Sequence, residues 1–221
     1  KLYFSDELKE KIRGLRGLCY IDKIKPPEFI EIPSFEDVKT SKDAFEISHN
    51  IFFDYINDET KQIPLIQKHN DRYLIHNPPS FSLTAVELDD IYELDFAHDA
   101  HPICKNEGKI IALDTIPFSV TTHRGCIGNC SFCSIAIHQG KKVINRSTNS
   151  ILKEVEDFKL KQEFNGIVKD IGGPTANMYG ISCSIYGIAG SCSDKDCLFP
   201  NICKNLCVEH KSYIELLRSA R

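Results

Sequence analysis

Apolar residues fall along the chain in short runs whose spacing alternates between two-residue and three-to-four-residue periods, which predicts a mixed α/β order. Residues 29–32, apolar except for Glu31 and followed by Pro33, read as a short strand on a sheet edge, since proline offers no N–H to a ladder. From Ser41 the spacing turns helical. Ala44, Ile47, Ile51 and Tyr55 repeat on one stripe, Phe45, Phe52 and Ile56 widen it, Asp43 sits in the first turn and Ser41 is placed as the cap. Residues 63–67 and 72–76 flank the turn-forming Lys68, His69, Asn70 and Asp71 and predict a hairpin, which Pro78 and Pro79 end. A short helix over about 85–94 and a loop holding His98, Asp99, His101 and Cys104 follow.

The pattern changes near residue 110. Residues 116–121 read as a buried strand, 148–162 as an amphipathic helix with Ile151, Val155 and Phe158 on one face and Ser147 or Asn149 as its cap, and 166–171 as a second strand that stops at Gly172-Gly173-Pro174. Strand, helix and strand at these separations make a βαβ unit. Such a unit implies a parallel pair with a right-handed crossover, and it locates chemistry in the loops after the carboxyl ends of the strands.

Composition narrows the class. The 221 residues carry 27 basic and 31 acidic side chains, a net charge of −4, and 42% are hydrophobic. That apolar fraction excludes a disordered tail, and no run approaches the roughly 18 apolar residues of a membrane span. A slightly acidic balance leaves no electrostatic footprint for general nucleic-acid binding. The ten cysteines stand out, eight of them between Cys126 and Cys207. Clustered in this way, without a secretory signal pattern, they read as metal or cluster ligands in a cytoplasmic protein rather than as disulfides. The chain opens at Lys1 and its one methionine is Met178, so a piece of a longer protein is expected.

Immediately after the first strand of the βαβ unit comes Cys126-Ile-Gly-Asn-Cys130-Ser-Phe-Cys133. Three thiolates within eight residues can converge on one centre, and Gly125 and Gly128 let the loop curl. Structural zinc and ordinary four-iron clusters take four ligands, whereas three leave a coordination position open, as catalytic metal sites do. Cys130 and Cys133 taken alone would equally suit half of a zinc knuckle or a redox dithiol.

The motif resembles that of the radical S-adenosylmethionine (radical SAM) enzymes. The string from Thr122 through His123, Arg124, the three cysteines and His138 to Gly140 is similar to one branch, the YgiQ family, as are Arg146-Ser147 with Ser150-Ile151 and the stretch 170–179. The resemblance implies that Cys126, Cys130 and Cys133 hold a [4Fe-4S] cluster whose remaining iron binds S-adenosylmethionine. A one-electron reductant of flavodoxin or ferredoxin type would be the partner, and reductive cleavage would yield a 5′-deoxyadenosyl radical, with the substrate unnamed. The implied fold is α/β: a mixed α/β segment over 1–110, then over 111–221 an incomplete radical SAM (βα) barrel represented by its first βαβ unit, with a Cys-rich loop region at about 181–210. A complete barrel needs more βα units, so the chain alone is expected to lack turnover.

Further residues acquire roles through that resemblance. Gly172, Gly173 and Pro174 stand where radical SAM proteins bring backbone carbonyls to the methionine amino group, although Gly-Gly-Pro alone is simply a turn. Phe132 resembles an aromatic that packs near the adenine, or else forms an apolar plug over the cluster. Arg146 reads as a surface or structural residue that could reach a carboxylate, and His123 and His138 as polar loop residues or outer partners of the cluster. Cys183, Cys192, Cys197 and Cys203 are the candidate ligands of a second site, zinc or an auxiliary iron–sulfur cluster, with Cys207 as an extra; this segment is too poor in apolar residues to order itself without a crosslink. Cys19 and Cys104 are isolated thiols. The competing reading is a non-catalytic zinc-binding interaction module with zinc in both cysteine groups.

Overall fold

The computed structural model describes residues 5–56, 58–106, 108–186, 192 and 196–221. It is a mixed α/β structure of two compact units, Lys1–Ser82 with Ile185–Lys195, and Leu83–Ser184 with Asp196–Arg221.

The first unit runs α1 (Asp6–Arg13), β1 (Cys19–Asp22), β2 (Ile30–Ile32), α2 (Phe35–Thr40), α3 (Lys42–Ile56), β3 (Leu65–His69) and β4 (Arg72–His76). The strands form one sheet in the order β1-β4-β3-β2, which puts β2 on the expected edge, parallel to β3. The β3–β4 hairpin pairs Ile66 with Ile75 and His69 with Arg72, so its turn is tighter than the sequence suggested and passes through Asn70 at φ 50°. Asparagine tolerates that left-handed conformation better than most residues. Helix α3 begins behind Ser41, whose hydroxyl accepts the Ala44 N–H at 3.2 Å. It buries Tyr55, whose ring meets His76 edge-on at 5.8 Å and whose hydroxyl lies 3.0 Å from the Ile63 carbonyl and 3.2 Å from that of His76. The Arg16 guanidinium closes the unit by donating to the carbonyls of Pro79, Lys61 and Glu59 at 2.8–3.0 Å.

The second unit continues through α4 (Ala85–Tyr92), the single turns α5 (Pro102–Lys105) and α6 (Ala112–Thr115), β5 (Ser119–Thr121), β6 (His123–Arg124), α7 (Ile135–Gln139) and β7 (Ile144–Asn145). It ends with α8 (Thr148–Phe158), β8 (Asp170–Gly172), β9 (Ile181–Cys183), β10 (Leu206–Val208) and α9 (Lys211–Ser219). Strands β5 and β8 are parallel, with Ser119 opposite Asp170 and Thr121 opposite Gly172, as a βαβ unit requires. Helix α8 is capped by Ser147, whose hydroxyl accepts the Ser150 N–H, and lays Ile151, Val155 and Phe158 on a core shared with Phe118, Val120, Tyr179 and Leu216.

Boundaries in the second unit also differ from the sequence reading, and α4 ends at Tyr92 rather than near 94. The first strand starts at Ser119 rather than 116, because Pro117 lacks an N–H and Ile116 is 61% exposed. Helix α8 stops at Phe158, the last residue of its apolar stripe, with Leu160 beyond it exposed. The second strand is confined to Asp170–Gly172, while Ile167 is exposed outside the ladder.

Candidate functional site

The carboxyl ends of β5 and β8 lie side by side, and each runs directly into one of the two motifs. After β5 the chain passes through Thr122 and His123, both fully buried, and reverses at Gly125. That glycine has φ +92°, and a side chain there would overlap the Lys142 carbonyl, so no other residue type fits the turn. The Cys126 N–H then donates to the Gly140 carbonyl at 3.0 Å, closing the loop that holds the three cysteines.

Within this loop Cys126 is buried, Cys130 exposed and Cys133 half-buried. The sulfurs of Cys126 and Cys130 flank the missing side chain of Gly128: a Cβ there would sit 3.3 and 3.7 Å from them. Cys133 N–H donates to the Cys130 carbonyl at 2.9 Å, closing a backbone turn between them. Burial pushes the Cys126 thiol pKa up, the Gly128 N–H pulls it down, and Cys133 and Cys130 add to the rise. Among the described residues no three His, Cys, Asp or Glu side chains close on a point as the ligands of a single metal ion do. A four-iron cluster does not require that closure, because its thiolates bind different irons. The donor set at this loop is all sulfur, which iron–sulfur clusters and zinc both accept.

On the other side Gly172, the last residue of β8, offers its carbonyl to the Thr122 N–H at 2.5 Å and to the Thr122 hydroxyl at 3.0 Å. Gly173 packs on the His123 ring so closely that a Cβ would lie 2.5 Å from Nε2 and 3.0 Å from Nδ1; Pro174 beyond it is exposed. His123 Nδ1 is 2.9 Å from the Thr122 hydroxyl and Nε2 is 3.2 Å from that of Thr175. Burial lowers the His123 pKa below its ordinary value, opposed by a hydrogen bond to the Ala176 backbone.

Other candidate residues take definite places. Phe132 is 91% exposed, with its ring outside the core, and His138 is exposed in the last turn of α7. Arg146 is buried and structural: it donates to the Thr121 carbonyl at 2.9 Å and the Ser150 hydroxyl at 2.8 Å, pairs with Glu154, and lies over the Tyr92 ring at 4.1 Å. Thr122 and Thr175, which touch His123, and Asn129, whose side-chain amide donates to Asp196 at 2.8 Å, were not singled out by sequence; isolated polar residues leave no periodic signal. A cleft of about 330 Å³ between α8 and residues 92–98 contains none of the cysteines.

The later cysteines are distributed unequally. Cys192 belongs to the first compact unit, and Cys183, Cys197, Cys203 and Cys207 to the second. In the β9–β10 pair Cys183 lies opposite Leu206 and Cys207 opposite Ser182, so the two cysteines point to opposite faces. The Cys183 face carries Ile181 and Leu206, which pack with Cys197 on the small core of Cys126, Ile127, Ala136 and Met178. Cys203 N–H donates to the Cys197 carbonyl at 2.9 Å. All ten cysteines are described, and none is in a disulfide.

The parallel strand pair brings the three-cysteine loop and the glycine turn to one edge, and comparison with known proteins supplies the family. The family model described as "Radical SAM N-terminal" matches residues 3–119, more than half of the chain. The chain belongs to the YgiQ (UPF0313) family of radical SAM proteins. It is 44% identical over 223 residues to a UPF0313 protein of Fusobacterium nucleatum, covering 100% of this chain and 39% of that protein. To a UPF0313 protein of Clostridium botulinum strain Okra it is 42% identical over 214 residues, 96% of this chain and 33% of the relative. For the Thermotoga maritima protein the values are 41% over 212 residues, 96% and 37%. The chain thus spans a third or slightly more of the length of the curated relatives it matches. No helix among the described residues is long and apolar enough to cross a membrane.

Proposed function

We propose that this chain carries the cofactor-binding part of a radical SAM enzyme, with a [4Fe-4S] cluster on Cys126, Cys130 and Cys133 and S-adenosylmethionine beside Gly172, Gly173 and Pro174. The observation that carries the reading is the adjacency of the two motifs at the carboxyl ends of β5 and β8, tied by the double hydrogen bond from Thr122 to the Gly172 carbonyl. When bound and reduced, the pair supplies a 5′-deoxyadenosyl radical able to take hydrogen from a substrate. The protein's part is placement. Gly125 and Gly128 shape the ligand loop, burial of Cys126 shields one side of it, and the lack of a side chain at Gly173 lets the backbone after β8 pack on the His123 ring. Exposed Phe132 is free to cover an adenine or the cluster once either is present.

The second centre in this proposal, zinc or an auxiliary cluster, draws on Cys183, Cys197 and Cys203 of the second unit. Its support is the shared face of Cys183 and Leu206 and the Cys203-to-Cys197 hydrogen bond. Cys207 points away from that face.

The test is anaerobic reconstitution with iron and sulfide, followed by metal and sulfide analysis and paramagnetic resonance of the reduced protein with and without S-adenosylmethionine. A brown protein whose reduced-cluster signal shifts on adding S-adenosylmethionine is expected. Colourless protein that takes up zinc alone would overturn the proposal in favour of the interaction module.

A further inference from the structure

The segment 172–176 is gripped at both ends by one imidazole. At its start, the Gly172 carbonyl is 3.0 Å from the Thr122 hydroxyl, which is 2.9 Å from His123 Nδ1. At its end, His123 Nε2 is 3.2 Å from the Thr175 hydroxyl, which donates to the Ala176 carbonyl at 2.7 Å. Between these anchors Gly173 lies against the ring, where a Cβ would overlap Cε1.

A neutral imidazole completes this chain of polar groups in either of two ways. With the proton on Nδ1, the ring donates to Thr122, which donates to Gly172, and Nε2 accepts from Thr175, whose one proton is then taken from the Ala176 carbonyl. With the proton on Nε2, the ring donates to Thr175, which donates to Ala176, while Nδ1 accepts from Thr122; Gly172 then keeps the Thr122 N–H. His123 is 0% exposed, so a ring nitrogen that lost its threonine partner would be a buried polar atom left unpaired. The ring also explains why the two glycines are not equivalent: a Cβ on Gly172 would meet only the Asp170 carboxylate at 3.4 Å.

We infer that His123 is a positioning residue for S-adenosylmethionine: its ring is the template that holds the backbone of residues 172–176 in the form that receives the methionine end of the ligand. The inference rests on the function proposed above and adds to it the residue that builds the ligand's backbone cradle. His123 touches neither the ligand nor the cluster in this assignment; it acts through Thr122, Gly173 and Thr175.

The experiment uses the 221-residue chain, reconstituted without oxygen, as wild type, His123→Ala, Gly173→Ala, Thr175→Val and the double variant His123→Ala/Gly173→Ala. Iron and sulfide content are measured alongside equilibrium dialysis of labelled S-adenosylmethionine. The expected result is cluster content close to wild type in His123→Ala, with affinity for S-adenosylmethionine weakened about tenfold or more, the scale of one lost buried hydrogen bond. A smaller loss is expected in Thr175→Val. Because removal of the ring makes room at Gly173, the double variant is expected to bind no worse than His123→Ala, a non-additivity that general destabilisation would not produce. Wild type that takes up a cluster and binds no S-adenosylmethionine overturns the proposed function and this inference together. Wild type that binds while His123→Ala binds equally well overturns the inference alone. If His123→Ala takes up no iron, Thr175→Val decides: weakened binding supports the inference and unchanged binding overturns it.

Discussion

Arg146, just before α8, forms an ion pair with Glu154, eight residues further along the chain, and their side chains are 1% and 13% exposed. The same guanidinium reaches back to the Thr121 carbonyl at the end of β5, so one side chain joins the strand that feeds the cysteine loop to the helix that follows it.

Removing the cation should be costly. Arg146→Met leaves the Glu154 carboxylate in a largely dry environment and strips partners from Thr121 and Ser150, a loss expected to cost about 3–5 kcal/mol. The double change Arg146→Met/Glu154→Gln should recover part of it, since no unpaired charge remains. Urea unfolding followed by circular dichroism measures both, and equal stability of Arg146→Met and wild type would contradict the assignment.

The paired glycines should respond differently to alanine. Gly173→Ala forces a methyl group into the His123 ring and is expected to destabilise by about 1–3 kcal/mol, the usual range for overpacking. Gly172→Ala meets one carboxylate at ordinary contact distance and should change stability by less than about 1 kcal/mol. Unfolding midpoints of the two variants, compared in one denaturant series, give the answer.

Acid should expose the buried histidine. Burial depresses the His123 pKa from 6.5, so as pH falls the unfolded chain binds this proton before the folded one. Its contribution to stability is complete above about 6.5 and is lost as pH falls through the lower folded-state value. His123→Gln should flatten that part of the profile relative to wild type, which unfolding free energies measured between neutral and mildly acidic pH will reveal.

Metal content should separate the cysteine groups. Cys126→Ala is expected to abolish the iron and sulfide assigned to the first centre and leave metal at the second, whereas Cys203→Ala should do the reverse. Elemental analysis after anaerobic reconstitution distinguishes these outcomes, and loss of both centres from either change would show that they do not assemble independently.

What the sequence made legible follows from how each feature is encoded. Helix α3 was readable because Ser41, Asp43 and a long apolar stripe all indicate the same start, and the β3–β4 hairpin because two apolar runs bracket turn residues. The three-cysteine loop was legible from spacing alone. The two-residue ladder between β6 and β7 was not, since so short a pairing has no period to detect. Nor was the burial of His123 and Arg146. Their partners Thr175, Thr121 and Glu154 lie 52, 25 and 8 residues away, and only folding brings them into contact.

The opposed faces of β9 and β10 have a practical use. Cys207 is exposed on the outward face, while Cys183 looks toward the packed side. An alkylating reagent should therefore label Cys207 at the same rate whether or not metal has been added, and its modified peptide becomes an internal reference. Protection of Cys183, Cys197 and Cys203, read as a ratio to that reference by mass spectrometry, then reports occupancy of the second centre without any need to identify the metal.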